Sequence, residues 1–211
     1  MKVLVVDDHP IVRSGLRRLL AAAEPSADID EAEDGREALA RVRENRPDLV
    51  LLDLNLPGLG GLELLQRLCS GQGPTLRVIV FSMHAEAIFA KRALENGAAG
   101  YLSKNAAPDE VLEAVRHVVR DGRYIERGIA QELALSAVDR RAAGGDPLQD
   151  LSPRDIEILR QVAGGAGLAD IAASLGLGYK TVANTLSRIK ARLGVARTAD
   201  LVRIAIENGI R

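Results

Sequence analysis

Five polar side chains in the first half of the chain fall where short apolar runs end. Asp7 and Asp8 follow Val3–Val6, Asp53 follows Leu49–Leu52, Ser82 follows Val78–Phe81, and Lys104 follows Ala99–Leu102. If those runs are parallel strands, their carboxyl ends share one edge, and three carboxylates, a hydroxyl and an ammonium converge there. Three close carboxylates repel one another unless a cation neutralises them. Oxygen ligands of this kind suit Mg²⁺. A carboxylate held beside Mg²⁺ and a lysine can act as a nucleophile toward a phosphoryl group. Taken singly, each of these residues also reads as a solvated loop position. The coincidence of five at matching ends favours the constellation.

A second chemistry lies near the other end. Residues 180–211 carry seven basic side chains (Lys180, Arg188, Lys190, Arg192, Arg197, Arg203 and Arg211) against Asp200 and Glu207. The turn residues Gly176-Leu177-Gly178 precede this stretch, and a short helical pattern precedes them. A short helix, a glycine-containing turn and a basic second helix form a helix-turn-helix signature, whose second helix enters a DNA major groove. The alternative is a solvated basic face on an ordinary three-helix bundle.

The elements that must position these groups are legible in the periodicity. Val3–Val6, Leu49–Leu52 and Val78–Phe81 are apolar on both faces and read as buried strands, with Asp28–Glu33 and Ala99–Leu102 as weaker ones. Helical spacing separates them: Val12, Leu16 and Leu19; Ala38, Leu39 and Val42; Leu62, Leu65 and Leu68; Ile88, Ala90 and Leu94; Val111, Val115 and Val118. This alternation predicts a five-stranded parallel, doubly wound α/β domain over 1–121. Residues 122–148 read as a partly helical linker, with a helix over Tyr124–Leu135 and linker composition from Arg140 to Pro147. From 149 to 211 the pattern is all helical. Ser152-Pro153-Arg154-Asp155 opens it as a capping box, helices follow near Leu168–Leu175 and Tyr179–Leu193, and Thr198 caps a last one.

The 211 residues carry 28 basic and 29 acidic side chains, a net of −1 that conceals a division. Residues 1–123 have a net charge of −3 and residues 149–211 a net of +3, which pairs an acidic site with an anionic partner. No apolar run approaches the ~20 residues that span a bilayer, and no signal-peptide pattern opens the chain, so no membrane role and a cytoplasmic location are expected. With five aromatic residues and no Trp, platforms for stacking single-stranded bases are disfavoured. Neither a GxxxxGK nor an HExxH pattern is present. His9, His84 and His117 lack metal spacing, Cys69 reads as a packing residue, and Gly58-Leu59-Gly60-Gly61 reads as a loop bordering Asp53.

Residues 1–121 resemble the receiver domain of bacterial two-component response regulators, with its CheY-like, flavodoxin-like fold. The resemblance is carried by Val5-Val6-Asp7-Asp8-His9, Leu51-Leu52-Asp53-Leu54-Asn55-Leu56-Pro57, Phe81-Ser82 and Gly100-Tyr101-Leu102-Ser103-Lys104. It implies that a sensor histidine kinase phosphorylates Asp53. It also implies that Asp8, Asp53 and the main-chain carbonyl of Asn55 hold Mg²⁺, with Asp7 acting through water. Ser82 and Tyr101 become the switch pair, and Lys104 bonds the phosphoryl oxygen. An aspartate-nucleophile phosphatase of the haloacid dehalogenase kind is the enzymatic alternative, but those enzymes carry Asp where this chain has Asn55. The expectation is therefore a protein that is not an enzyme beyond accepting, and slowly losing, a phosphoryl group.

Residues 149–208 resemble the LuxR-type helix-turn-helix of the NarL/FixJ class of response regulators. The carrying residues are Leu151-Ser152-Pro153-Arg154-Asp155-Ile156-Glu157-Ile158-Leu159, Asp170-Ile171-Ala172, Leu175-Gly176, Lys180-Thr181-Val182 and Leu193-Gly194-Val195. The chain departs from the family at Ala169 and Ala183, which are often Lys, at Gly178, often Ser, and at Thr185, often His. With those groups missing, base contact falls to Asn184, Ser187 and Arg188 beside Thr181, and phosphate contact to Lys180, Arg188 and Lys190. The small positive surplus implies a homodimer on double-stranded promoter DNA. A phosphorylation-dependent interaction module that does not read DNA is the remaining alternative.

Overall fold

The computed structural model describes residues 1–57, 59, 61–71, 76–83, 85, 87–120, 122–143, 148, 151–208 and 210. The chain divides into one compact unit of residues 1–85 and 89–130 and a second of residues 86–88 and 131–211.

Apolar strands and amphipathic helices build the first unit. The strands are β1 (Lys2–Val6), β2 (Asp28–Ala32), β3 (Leu49–Leu52), β4 (Arg77–Ser82), β5 (Gly100–Ser103) and β6 (Tyr124–Ile125). They form one all-parallel sheet in the order β2-β1-β3-β4-β5-β6. Helices α1 (Pro10–Ala23), α2 (Gly35–Asn45), α3 (Gly61–Gly71), α4 (Ala87–Glu95) and α5 (Pro108–Val119) make the crossovers. Strands covered on both faces have no polar side to show, and every residue of β3 is buried. The core runs from Val3, Val5, Leu49, Leu51, Ile79 and Phe81 to Leu16 and Leu20 of α1 and Val111, Val115 and Val118 of α5. Local signals set the helix starts. Asp34 caps α2, its Oδ1 accepting from the amides of Arg36 and Glu37 at 2.8 Å each. Pro108 opens α5 with Asp109 and Glu110 in the first turn and Arg116 and His117 in the last, as the helix dipole favours.

The sheet has six strands where the periodicity predicts five, with a helix over Tyr124–Leu135. Tyr124 and Ile125 instead pair with Gly100 and Tyr101, and two residues are too few for any period to register. Gly100 admits this neighbour, because a Cβ there would stand 3.1 Å from the Tyr124 carbonyl oxygen. Helix α6 (Arg127–Ala143) then runs through Arg140–Ala143, which composition assigns to a linker. Alanine and arginine are among the strongest helix formers and continue the helix. The loop glycines Gly58 and Gly60, His84, and the linker-like Gly144–Pro147 lie outside the described residues.

The second unit is helical: α7 (Pro153–Ala163), α8 (Leu168–Ser174), α9 (Tyr179–Arg192) and α10 (Thr198–Glu207). The capping box is formed, with Ser152 Oγ accepting from the Asp155 amide at 3.1 Å and Asp155 Oδ2 accepting from the Ser152 amide at 2.9 Å. Helix α10 packs on α7, and α8 packs against α9. Their shared interior is Leu151, Ile156, Leu159, Ile171, Val182, Ile189 and Leu201. Gly176, with φ of +61°, supplies the left-handed turn residue between α8 and α9. Thr198 begins α10 rather than capping it. The cap position is Arg197, which pairs with Asp200 at 3.0 Å across the first turn. Among the described residues, no helix is long and apolar enough to cross a membrane.

Candidate functional site

The strand order reverses between β1 and β3, and parallel sheets form a crevice at such a point beyond their carboxyl ends. The sheet ladder continues past the strands and fixes the residues there. The Asp7 amide donates to Ala32 O at 3.1 Å, the Asp53 amide to Val6 O at 2.9 Å, and the Lys104 amide to Ser82 O at 2.8 Å. These three bonds align Asp7, Asp53 and Lys104 at one edge. Lys104 Nζ stands 2.6 Å from Asp7 Oδ2 and 2.7 Å from Asp53 Oδ2. Asp7 and Asp53 are each only 1% exposed.

Burial pushes the Asp53 carboxyl above the usual aspartate value, and the bond from Lys104 only partly opposes this. Burial also acts to lower the Lys104 ammonium, but its bonds to Asp53 and Asp7 outweigh that and hold its pKa above the ordinary lysine value. The lysine therefore stays charged between the two carboxylates. Asp53 Oδ1 accepts from the Asn55 amide at 3.1 Å, which brings the Asn55 main chain to the pocket.

Asp8 completes the cluster. Oxygens of Asp7, Asp8 and Asp53 and a ring nitrogen of His9 all lie within 4.8 Å of one another. Asp8 Oδ1 is buried and has no hydrogen-bond partner, although His9 Nδ1 stands 2.6 Å from it. An orphaned carboxylate oxygen beside two more carboxylates is the donor set that a hard divalent cation satisfies. The pocket thus gathers Asp7, Asp8, Asp53, the Asn55 main chain and Lys104. Ser82 and Tyr101 sit on adjoining strands, both fully buried. Tyr101 pairs with Val80, so Ser82, two residues beyond Val80, shares its face of the sheet.

Two supports were not legible in the sequence. Arg13 on α1 donates from Nη1 to the Asp7 carbonyl at 2.7 Å and from Nε to Glu31 at 3.3 Å, tying the β1–α1 turn to β2. Its position four residues after His9 carries no pattern that announces this. Gly61, the first residue of α3, lies against the Asp53 turn, where a Cβ would be 2.6 Å from the Leu54 carbonyl oxygen.

In the second unit, Val182, Thr185, Leu186 and Ile189 of α9 are buried. Lys180, Thr181, Asn184, Ser187 and Arg188 are exposed. At 100° per residue these five span an arc of about 120°. Lys190 is half-buried on the flank of this arc. Ser187 Oγ donates to Ala183 O at 3.0 Å, and Arg188 Nη2 donates to Asp155 Oδ1 at 2.6 Å. Tyr179, at the start of α9 and 57% exposed, was not singled out by any sequence pattern.

Residues 3–116 match the response regulator receiver domain family, and residues 149–205 match the luxR family of bacterial regulatory proteins. The transcriptional activator protein ExaE of Pseudomonas putida is 43% identical over 210 residues, covering 100% of this chain and 98% of ExaE. The response regulator UvrY of Escherichia coli K12 is 35% identical over 210 residues, covering 100% of this chain and 95% of UvrY. Among solved structures, the Salmonella typhimurium RcsB response regulator, studied for its conformational dynamism in DNA interaction, aligns with a TM-score of 0.60 at 26% identity over 96% of each chain. An acidic, lysine-clamped pocket at the sheet's switch point, a helix-turn-helix beyond it, and these full-length matches have one reading: the chain belongs to the two-component response regulators of the NarL/FixJ class, transcription regulators that join a receiver domain to a LuxR-type DNA-binding domain.

Proposed function

We propose that Asp53 is the phosphoacceptor, that a sensor histidine kinase is the donor, and that the phosphorylated protein binds promoter DNA as a homodimer through α9. The observation that carries this reading is the clamp of Lys104 Nζ, 2.7 Å from Asp53 and 2.6 Å from Asp7. An Asp53 oxygen attacks the phosphorus, the bond from phosphorus to the kinase histidine nitrogen breaks, and that electron pair returns to the imidazole. Lys104 exchanges its contact with Asp53 Oδ2 for a phosphoryl oxygen and offsets its charge. Asp7, Asp8, Asp53 and the Asn55 main chain fit Mg²⁺, and the ion supplies further positive charge to the phosphoryl oxygens. Slow loss of the group follows when water attacks the phosphorus, releasing phosphate and restoring the carboxylate.

The new charge draws the Ser82 hydroxyl toward it, and the Tyr101 ring turns into the space left behind. Phosphorylation thus biases a pre-existing equilibrium between arrangements of the face formed by α4 and β5. On α9, Asn184, Thr181 and Ser187 face base edges, while Lys180, with Lys190 on the flank, faces phosphates. RcsB is a response regulator that interacts with DNA, and ExaE is a transcriptional activator. Asp53→Asn should abolish labelling by radiolabelled acetyl phosphate and the accompanying gain in DNA affinity. Undiminished labelling would place the phosphoacceptor elsewhere. Labelling without any DNA binding would favour a phosphorylation-dependent interaction module.

A further inference from the structure

Arg188 lies within the exposed arc of α9, yet its partner is a residue of α7. Asp155 is 1% exposed and its carboxylate divides its two oxygens. Oδ2 closes the capping box on the Ser152 amide at 2.9 Å, and Oδ1 accepts from Arg188 Nη2 at 2.6 Å. Arg192 Nη1 stands 3.9 Å from Oδ2. Because the cap fixes Asp155 to the first turn of α7, the arginine is anchored to a rigid point. The rest of the packing face of α9 is Val182, Thr185, Leu186 and Ile189, three of them aliphatic side chains whose contacts have no directional preference. A rotation of α9 by about 20° would shift side-chain tips, at a radius of about 5–6 Å, by about 2 Å, more than a hydrogen bond tolerates.

We propose that Arg188 is a positioning residue: its ion pair with the buried Asp155 sets the rotation of α9 on α7 and so aims Thr181, Asn184 and Ser187. This rests on the reading of α9 as the DNA-contacting helix. A guanidinium whose charge is matched by a buried carboxylate contributes little to neutralising phosphates, so Arg188 is withdrawn from the contacts that its exposure suggests.

The two roles predict opposite outcomes for Asp155→Asn, which keeps an acceptor for the cap and leaves the Arg188 charge in place. A phosphate-contacting arginine freed from its partner would hold DNA as tightly as before, or more tightly. A positioning arginine would lose its anchor. The test uses the full-length phosphorylated protein with two probes: a duplex that the unaltered protein enriches from a random library, and a scrambled duplex of equal length. Asp155→Asn and Arg188→Met should each lower affinity for the enriched duplex about tenfold and leave the scrambled duplex within about twofold. The salt slope should not change, and the double variant should be no worse than either single one. Arg188→Lys should recover part of the loss. Folding is checked by thermal melting; if Arg188→Met does not fold, Asp155→Asn and Arg188→Lys decide by the same ratio. Unchanged or tighter binding by Asp155→Asn, or a salt slope reduced by about one in Arg188→Met, would overturn the proposal. Failure of the unaltered protein to enrich any duplex would overturn the DNA reading and this proposal with it.

Discussion

Gly61 stands against Asp53 so closely that a Cβ on the glycine would lie 2.7 Å from the Asp53 carbonyl oxygen. The start of α3 and the turn carrying the pocket's central carboxylate are therefore in backbone contact, and the Gly61 amide donates to Leu54 O at 3.2 Å. Gly61→Ala forces backbone, not a flexible side chain, to move. The expected cost is about 1–3 kcal/mol in urea unfolding, with slower labelling by acetyl phosphate. Wild-type stability together with a wild-type labelling rate would show that the turn relaxes freely.

The orphaned Asp8 oxygen predicts a metal-linked stability. A ligand that binds only the folded form raises the melting temperature as its concentration rises above Kd. Millimolar Mg²⁺ should raise the melting temperature of the protein, and Asp8→Asn should remove most of that increase. The increment is read by scanning calorimetry with and without EDTA. An equal Mg²⁺ increment in both proteins would take Asp8 out of the ligand set.

Cys69 gives a pH prediction. Burial pushes its thiol above the ordinary value, and the residue packs where a Cβ on Gly97 would stand 2.9 Å from its own Cβ. A raised pKa means less thiolate near pH 8, so alkylation by iodoacetamide should be slower in the folded protein than after denaturation in urea. The same sign makes folding lose stability as pH rises through the pKa of the unfolded thiol. A folded-state rate equal to that of free glutathione would contradict this.

Two α9 substitutions separate reading from charge. Lys180→Ala should weaken binding to enriched and scrambled duplexes alike and lower the salt slope by about one. Asn184→Ala should weaken only the enriched duplex, by about 1–3 kcal/mol, with the slope unchanged. Fluorescence anisotropy across a salt series measures both. Reversed behaviour would exchange the two assignments.

The parallel sheet was readable because its three central strands are apolar on both faces, a pattern that Val3–Val6, Leu49–Leu52 and Val78–Phe81 display without interruption. The polar residues that end the apolar runs, Lys104 among them, led directly to the pocket, and the three-dimensional arrangement added that Lys104 bridges Asp7 and Asp53. Other features rest on relations that no local window contains. Asp155 and Arg188 are 33 residues apart, and both fit simpler local roles, one in a capping box and the other on a basic face. Arg13 meets the Asp7 carbonyl through a helix orientation that its neighbours do not specify. β6 is too short to have a period, and Thr198 imitates a cap because threonine suits that position in general.

The sixth strand also determines where this receiver can be cut. Glu126, the residue after β6, bonds its carboxylate to the Ser103 amide at 2.6 Å, and its own amide donates to Tyr101 O at 3.0 Å. The strand that carries Tyr101 and leads into Lys104 thus has part of its edge supplied from the far side of α5. A chimera that grafts this receiver onto a different output domain therefore needs its junction beyond Arg127. A cut at residue 121 would leave Tyr101 and Ser103 with bare edge groups and an altered strand beside the acidic pocket.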